Sequence, residues 1–200
     1  MAHRGPPFAD VGTTAQRLEF MSPAPDGVGL ERGTVRLVPY DPRWPALFQV
    51  EAARIRRRVG RVMLDVVHVG STAVPGLAAK PIIDLMLAVR SLRAPLTLFE
   101  TLEQLGYEHR PSDTIPDRLH FIRESAALRT HHLHVCGLDS TFWISHLRFR
   151  NRLRSEPELA GAYVELKRTL AARYPNDRLA YTDAKDHFVA KAVATNFDEG

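Results

Sequence analysis

The sequence predicts an α+β domain, a small mixed β-sheet with packed helices and a C-terminal helical section. Three observations predict it. Short apolar runs at about 65–69 and 82–89, and the runs "LHFIRE" and "THHLHVCGL", have strand length and are bounded by turn residues. The helical patterns between them do not alternate strictly with the strands, so a purely parallel sheet is not expected. From Ser140 onward the periodicity is helical only.

Residues 1–33 are dense in Pro and Gly without sustained periodicity. They read as a flexible leader, leaving 34–200 as the domain. "TVRLVPY" then reads as a short strand. In "DPRWPALFQVEAARIRRRVG", Asp41 is placed as N-cap and Pro42 at the first helical position. Trp44, Leu47, Phe48, Ile55 and Val59 follow helical spacing as the inner face, and "RIRRR" reads as a solvated basic outer face. "APLTLFETLEQLG" is a helix closed by Gly106. "SAALR" separates two strands. Three helical stretches follow: "STFWISHLRFRNRLR", "EPELAGAYVELKRTLAARYP" and "YTDAKDHFVAKAVATNF", the last with Thr182 as its cap.

Composition narrows the function classes only mildly. A net charge of +4 fits phosphate-bearing ligands but also plain solubility. The single cysteine, Cys136, allows no internal disulfide and points to a reducing compartment. With no bilayer-length apolar run and no signal-peptide core, a cytoplasmic protein without a membrane partner is expected. A nucleic-acid partner would rest on basic charge alone, since no aromatic platform or recognition motif accompanies it.

The chemistry concentrates in "VVHVGSTAVPGLAAKPIIDLMLAV", Val66 to Val89. A Walker loop is excluded, because Ala79 precedes Lys80 and Pro81 follows it. The dinucleotide fingerprint fails on the spacing of Gly70 and Gly76. What remains is Gly70–Ser71–Thr72 at the end of one strand and Asp84 on the next. Glycine lets a phosphate approach the backbone, the hydroxyls add donors, and a carboxylate opposite can hold a cation that bridges phosphate oxygens. The alternative is a tight turn with Asp84 paired to an arginine or to backbone amides.

This loop resembles the signature of the nucleotidyltransferase (DNA polymerase beta-like) superfamily. More narrowly, "VPYDPRWPALFQVEAARI", "HVGSTAVPGLAAKPIIDLMLAV", "HHLHV", "LRFRNRLRSEPELAGAYVELKRTLA" and "YTDAKDHFV" resemble blocks of its GrpB (UPF0157) branch, spanning roughly Thr34 to Phe197. The resemblance implies a nucleotidyltransferase-like sheet. It implies a nucleoside triphosphate bound with Mg²⁺ or Mn²⁺ on Asp84 and a nucleotidyl group transferred to an unknown acceptor. The alternative it carries is a catalytically inactive nucleotide-binding or folding-support domain, related to those fused to dephospho-CoA kinase. The superfamily places a second acid two residues after the first, where alternation aims both at the metals; here that residue is Met86.

Other residues are candidates to complete the site. On a strand, His132, His134 and Cys136 share one face, opposite His131, Leu133 and Val135. In the implied fold this strand can lie near Asp84, giving Asp84, His132 and His134 as a metal set that would take Zn²⁺ if the histidines ligate. The reading favoured over ligation is that both are satisfied core or rim residues, or donate to phosphate without any metal. Lys80, Arg148, Arg150 and Lys185 are the candidate phosphate cations. His68 ranks lower, and Glu124 is the one further acid that could stand in for the missing carboxylate.

Overall fold

The computed structural model describes residues 27–92, 96–111, 115 and 117–194. Six strands, β1 (Leu30–Glu31), β2 (Met63–Val69), β3 (Ile83–Val89), β4 (Tyr107–His109), β5 (Arg118–Ser125) and β6 (Leu128–Cys136), form one sheet. Its order is β2-β3-β6-β5-β4, with β1 pairing β6 off that path. β3 and β6 run parallel while the other pairs are antiparallel, so the sheet is mixed, as the sequence predicts. The helices are α1 (Trp44–Val59), α2 (Leu96–Gln104), α3 (Thr141–Ser155), α4 (Pro157–Arg173) and α5 (Arg178–Ala194). Among the described residues no helix is long and apolar enough to cross a membrane.

Strand alternation sorts side chains onto two faces. Ile83, Leu85, Leu87 and Val89 of β3, with Leu133, Val135 and Phe121, meet Trp44, Phe48 and Ile55 of α1 and Leu98 and Leu102 of α2 in the main core. On the opposite face Met86, Ala88 and Cys136 pack under Phe142 and Trp143 of α3. Asp84, His132, His134 and His120 belong to this second face, in register across β3, β6 and β5. The helical C-terminal section covers the loop after β2 through Val74, Leu77, Leu153 and Tyr163.

Four local expectations are corrected. Residues 34–40 form no strand: Val38 makes only an isolated bridge to Ala79. Pro39 and Pro81, each without an amide donor, flank that bridge and stop the ladder. Residues 1–26 lie outside the described residues, but 27–33, assigned to the leader, pack on the fold. Val28 and Leu30 are buried, Gly29 donates to the Pro81 carbonyl, and β1 pairs β6. α1 begins at Trp44 with Pro45 in its first turn, not at Pro42. Asp41 instead closes a turn ahead of it, accepting from the Arg43 amide at 2.8 Å. Thr182 is not the last helix's cap, because α5 starts four residues earlier. There Asp177 accepts from the Ala180 amide at 3.0 Å, and the Thr182 hydroxyl donates back to the Arg178 carbonyl.

α1 also buries a charge. Glu51, 3% exposed, accepts from Arg123 at 2.6 Å, Arg54 at 2.7 Å and the Tyr107 hydroxyl at 3.1 Å. Burial pushes its pKa up, but the two guanidiniums outweigh that and hold it below the usual carboxylate value. Glu51→Ala is expected to lower the unfolding free energy by about 2 kcal/mol. That is less than a fully buried pair would lose, because both arginines keep contact with water. Urea denaturation checks this, and a loss within experimental error would mean the arginines are satisfied by solvent alone.

Candidate phosphate-binding site

β2 is followed by Gly70, whose φ of 69° and ψ of −172° suit only glycine. A Cβ there would overlap Asp84 Oδ2 and lie 3.0 Å from the Asp84 Cβ and Cγ. Asp84 and Val69 are register partners across β2 and β3, so the strand pairing presses the carboxylate against the bare backbone of the turn. The chain then makes a 3₁₀ turn, Ser71–Ala73, whose first amides have no partner within the turn itself.

Three lysines from separate segments converge here. Lys167 of α4, only 2% exposed, donates to the Ala78 carbonyl and, at 3.1 Å, to Ser71 Oγ. Its Nζ lies 4.8 Å from the Tyr163 ring centroid. Lys80 at the loop's end and Lys185 of α5 approach the Tyr181 ring, at 5.2 and 4.4 Å from its centroid. Burial, then Lys185 and Lys80, lower the Lys167 ammonium to about 7. Burial lowers Lys185 to about 8 against the pull of Asp84. Lys80 is lowered by burial and by Lys185, again with Asp84 opposing. Asp84 moves the other way, raised by burial and held back by Lys80 and Lys185. Among the described residues Asp84 forms no ion pair with any of the three; its one close charged-type contact is His132 Nδ1, at 3.4 Å from Oδ1.

The histidines have assigned roles. His132 Nε2 is buried and without a hydrogen-bond partner. His134 Nδ1 lies 3.2 Å from Arg118 Nη1. A guanidinium only donates, so Nδ1 is the acceptor and the ring proton sits on Nε2. His120 stacks on His134, with ring centroids 4.8 Å apart. Nitrogens of His120, His132 and His134 lie within 4.8 Å of one another. A metal on His134 Nε2 would have to displace the proton that Arg118 fixes there, so the trio is a poor ready-made ligand set. The fit to paired Mg²⁺ ions is poorer still. Asp84 is a lone carboxylate, Met86 is fully buried under α3, and Glu124 is tied to Arg32 at 2.6 Å and Arg129 at 3.4 Å.

A family model described as GrpB protein matches residues 34–195. The chain belongs to the GrpB family. It is 36% identical to the conserved protein GrpB from Enterococcus faecalis, whose crystal structure aligns with a TM-score of 0.72 over 79% of this chain and 94% of that one. A UPF0157 protein of Pseudomonas aeruginosa is 42% identical over 80% of this chain and 66% of its own length. A dephospho-CoA kinase of Mycolicibacterium paratuberculosis is 32% identical over 84% of this chain, but only 47% of the kinase is matched. The chain thus spans about two thirds of the Pseudomonas relative and under half of the kinase. The mixed sheet with packed helices and a C-terminal helical section, expected from the sequence, is the one the chain forms, and it aligns with the Enterococcus GrpB fold.

In this GrpB chain the structure brings Gly70, Ser71, Lys80, Asp84, His132 and Lys185 together and ties Thr72 and Arg150 to partners within the protein. Thr72 is a correction. At 1% exposure its hydroxyl donates to the Ile82 carbonyl at 3.2 Å and meets His68 Nε2 at 3.0 Å, so it staples the two ends of the loop instead of facing a ligand. Arg150 is another: its guanidinium holds the His68 carbonyl at 2.9 Å and Asn151 Oδ1 at 2.8 Å. Arg148 is half-buried on the same helix. His134 sits two register positions beyond Asp84, beside Met86. Lys167, Tyr163 and Tyr181 were missed. The available signal was a lysine on the inward stripe Tyr163, Lys167, Leu170 of an amphipathic helix.

Proposed function

We propose that this GrpB protein binds the triphosphate of a nucleoside triphosphate in the pocket between the Gly70–Ser71 turn and helices α4 and α5, as a nucleotide-binding domain. The convergence of Lys80, Lys167 and Lys185 on Ser71 and Asp84 supports it most directly. Burying an ammonium is costly, and the buried Lys167 with the half-buried Lys80 and Lys185 beside one carboxylate leaves positive charge that an anion would offset. The partial match to a dephospho-CoA kinase is consistent with a module that serves a larger protein. Transfer of a nucleotidyl group to an acceptor is the second reading, favoured by the retention of Asp84 opposite the turn. Met86 weighs against it. We place the protein in the cytoplasm on its single cysteine.

Equilibrium binding of ATP, GTP, CTP and UTP, each with and without Mg²⁺, tests the reading. Lys167→Met removes a charge-assisted donor and the anchor of Ser71, and is expected to weaken the preferred nucleotide by about tenfold or more. If no nucleotide binds in either condition, the proposal is wrong.

A further inference from the structure

We infer that the pocket holds the phosphate chain without a divalent cation, and that Mg²⁺ competes with the lysines for the ligand. The inference rests on the nucleotide-binding reading above and assigns the charge partner within it. A cation seated on Asp84 would have that one carboxylate, the Lys80 and Lys185 ammoniums acting on it, and Lys167 beyond them on Ser71. Met86, fully buried, fills the register position where a second acid would help. Arg129 and Arg178 add to the positive field at Lys80, and Arg178 also acts on Lys185, where only Asp84 and Asp186 oppose it. In such a field a second positive centre is repelled, and more strongly where water is scarce.

The ligand side leads to the same conclusion. A triphosphate that carries Mg²⁺ has already spent two of its negative charges on the metal, so it gains less from the ammoniums than the free anion does. Lys167 already orients Ser71 toward the site, and Lys80 and Lys185 have aromatic faces as their only close partners among the contacts described. These groups can neutralise phosphate oxygens themselves, as lysines do elsewhere. Asp84 then has a different task. It offsets the mutual repulsion of the lysines when the pocket holds no anion, and its carboxylate opposes the ligand's charge instead of recruiting a metal.

Calorimetric titration of inorganic tripolyphosphate and of ATP, in EDTA and in excess Mg²⁺, tests this on wild type and on Asp84→Asn. Binding is expected in EDTA and should weaken by about tenfold in excess Mg²⁺. Asp84→Asn, checked for folding by its thermal transition, should bind tripolyphosphate in EDTA about fivefold more tightly, since a repelling charge is gone. Affinity that Mg²⁺ leaves unchanged or raises overturns the inference in the wild type alone, whatever the variant does, while the nucleotide-binding reading stands. Loss of binding in a folded Asp84→Asn protein overturns it too. Absence of binding in both conditions overturns the inference and that reading together.

Discussion

Gly70→Ala is expected to cost about 3 kcal/mol of stability and to abolish polyphosphate binding. The backbone cost comes first. A φ of 69° with ψ near −172° is a region open essentially to glycine, and a Cβ there costs on the order of 1–3 kcal/mol. The contact cost adds to it. The new methyl would overlap Asp84 Oδ2, with the Asp84 Cβ and Cγ also too close at 3.0 Å. Asp84 cannot retreat without parting β2 from β3, because Val69 and Asp84 are register partners at that point. Gly76 provides the control: it has a φ of 77° in the same loop, but nothing within 4 Å of where its Cβ would stand. Gly76→Ala should therefore lose only the backbone term, about 1 kcal/mol. Urea unfolding of both variants gives the difference. Equal losses would show that the Asp84 contact carries no energy, and tripolyphosphate titration then asks whether the pocket survives.

How much of this was legible depends on how far apart the partners lie. Gly70 and Asp84 were readable together because one loop joins their strands, and a glycine before an apolar run that contains a carboxylate is a local anomaly. His132 followed from strand alternation once β6 was placed beside β3. Lys167 was not readable in the same way. It comes to Ser71 from a helix nearly a hundred residues away, and a single lysine in an amphipathic helix ordinarily faces water. Thr72 and Arg150 show the opposite error. Residue type and proximity suggested phosphate donors, whereas the loop needed its own polar groups tied first: the Thr72 hydroxyl to Ile82, and the His68 carbonyl to Arg150. Termini of elements were misplaced where two similar signals competed, as with Pro42 against Pro45 and Thr182 against Asp177.

Affinity for tripolyphosphate is expected to fall by about a hundredfold between pH 7 and pH 9 in EDTA. Without ligand, Lys167 titrates near 7 and Lys185 near 8, and Lys80 is also depressed, all from an ordinary value of 10.5. A phosphate chain favours the charged ammoniums and returns these values toward normal, so above pH 7 binding must take up protons. Each proton taken up costs up to about one decade of affinity per pH unit. Arg129 and Arg178 add positive charge beside Lys80, and Arg178 beside Lys185, and so supply a floor to the affinity. Stability of the ligand-free protein must respond in the opposite sense. The unfolded lysines hold their protons up to about 10.5 while the folded ones release theirs from about 7, so the unfolded state binds more protons in that window and stability rises with pH. Asp84, raised in the folded state, acts only on the acid side, where stability falls as pH climbs from the unfolded carboxylate value to the folded one. Titrations in two buffers of different ionisation enthalpy count the protons directly. An affinity flat from pH 7 to 9, with no proton uptake, would mean that the arginines hold the phosphate and that the three lysines lie outside its reach.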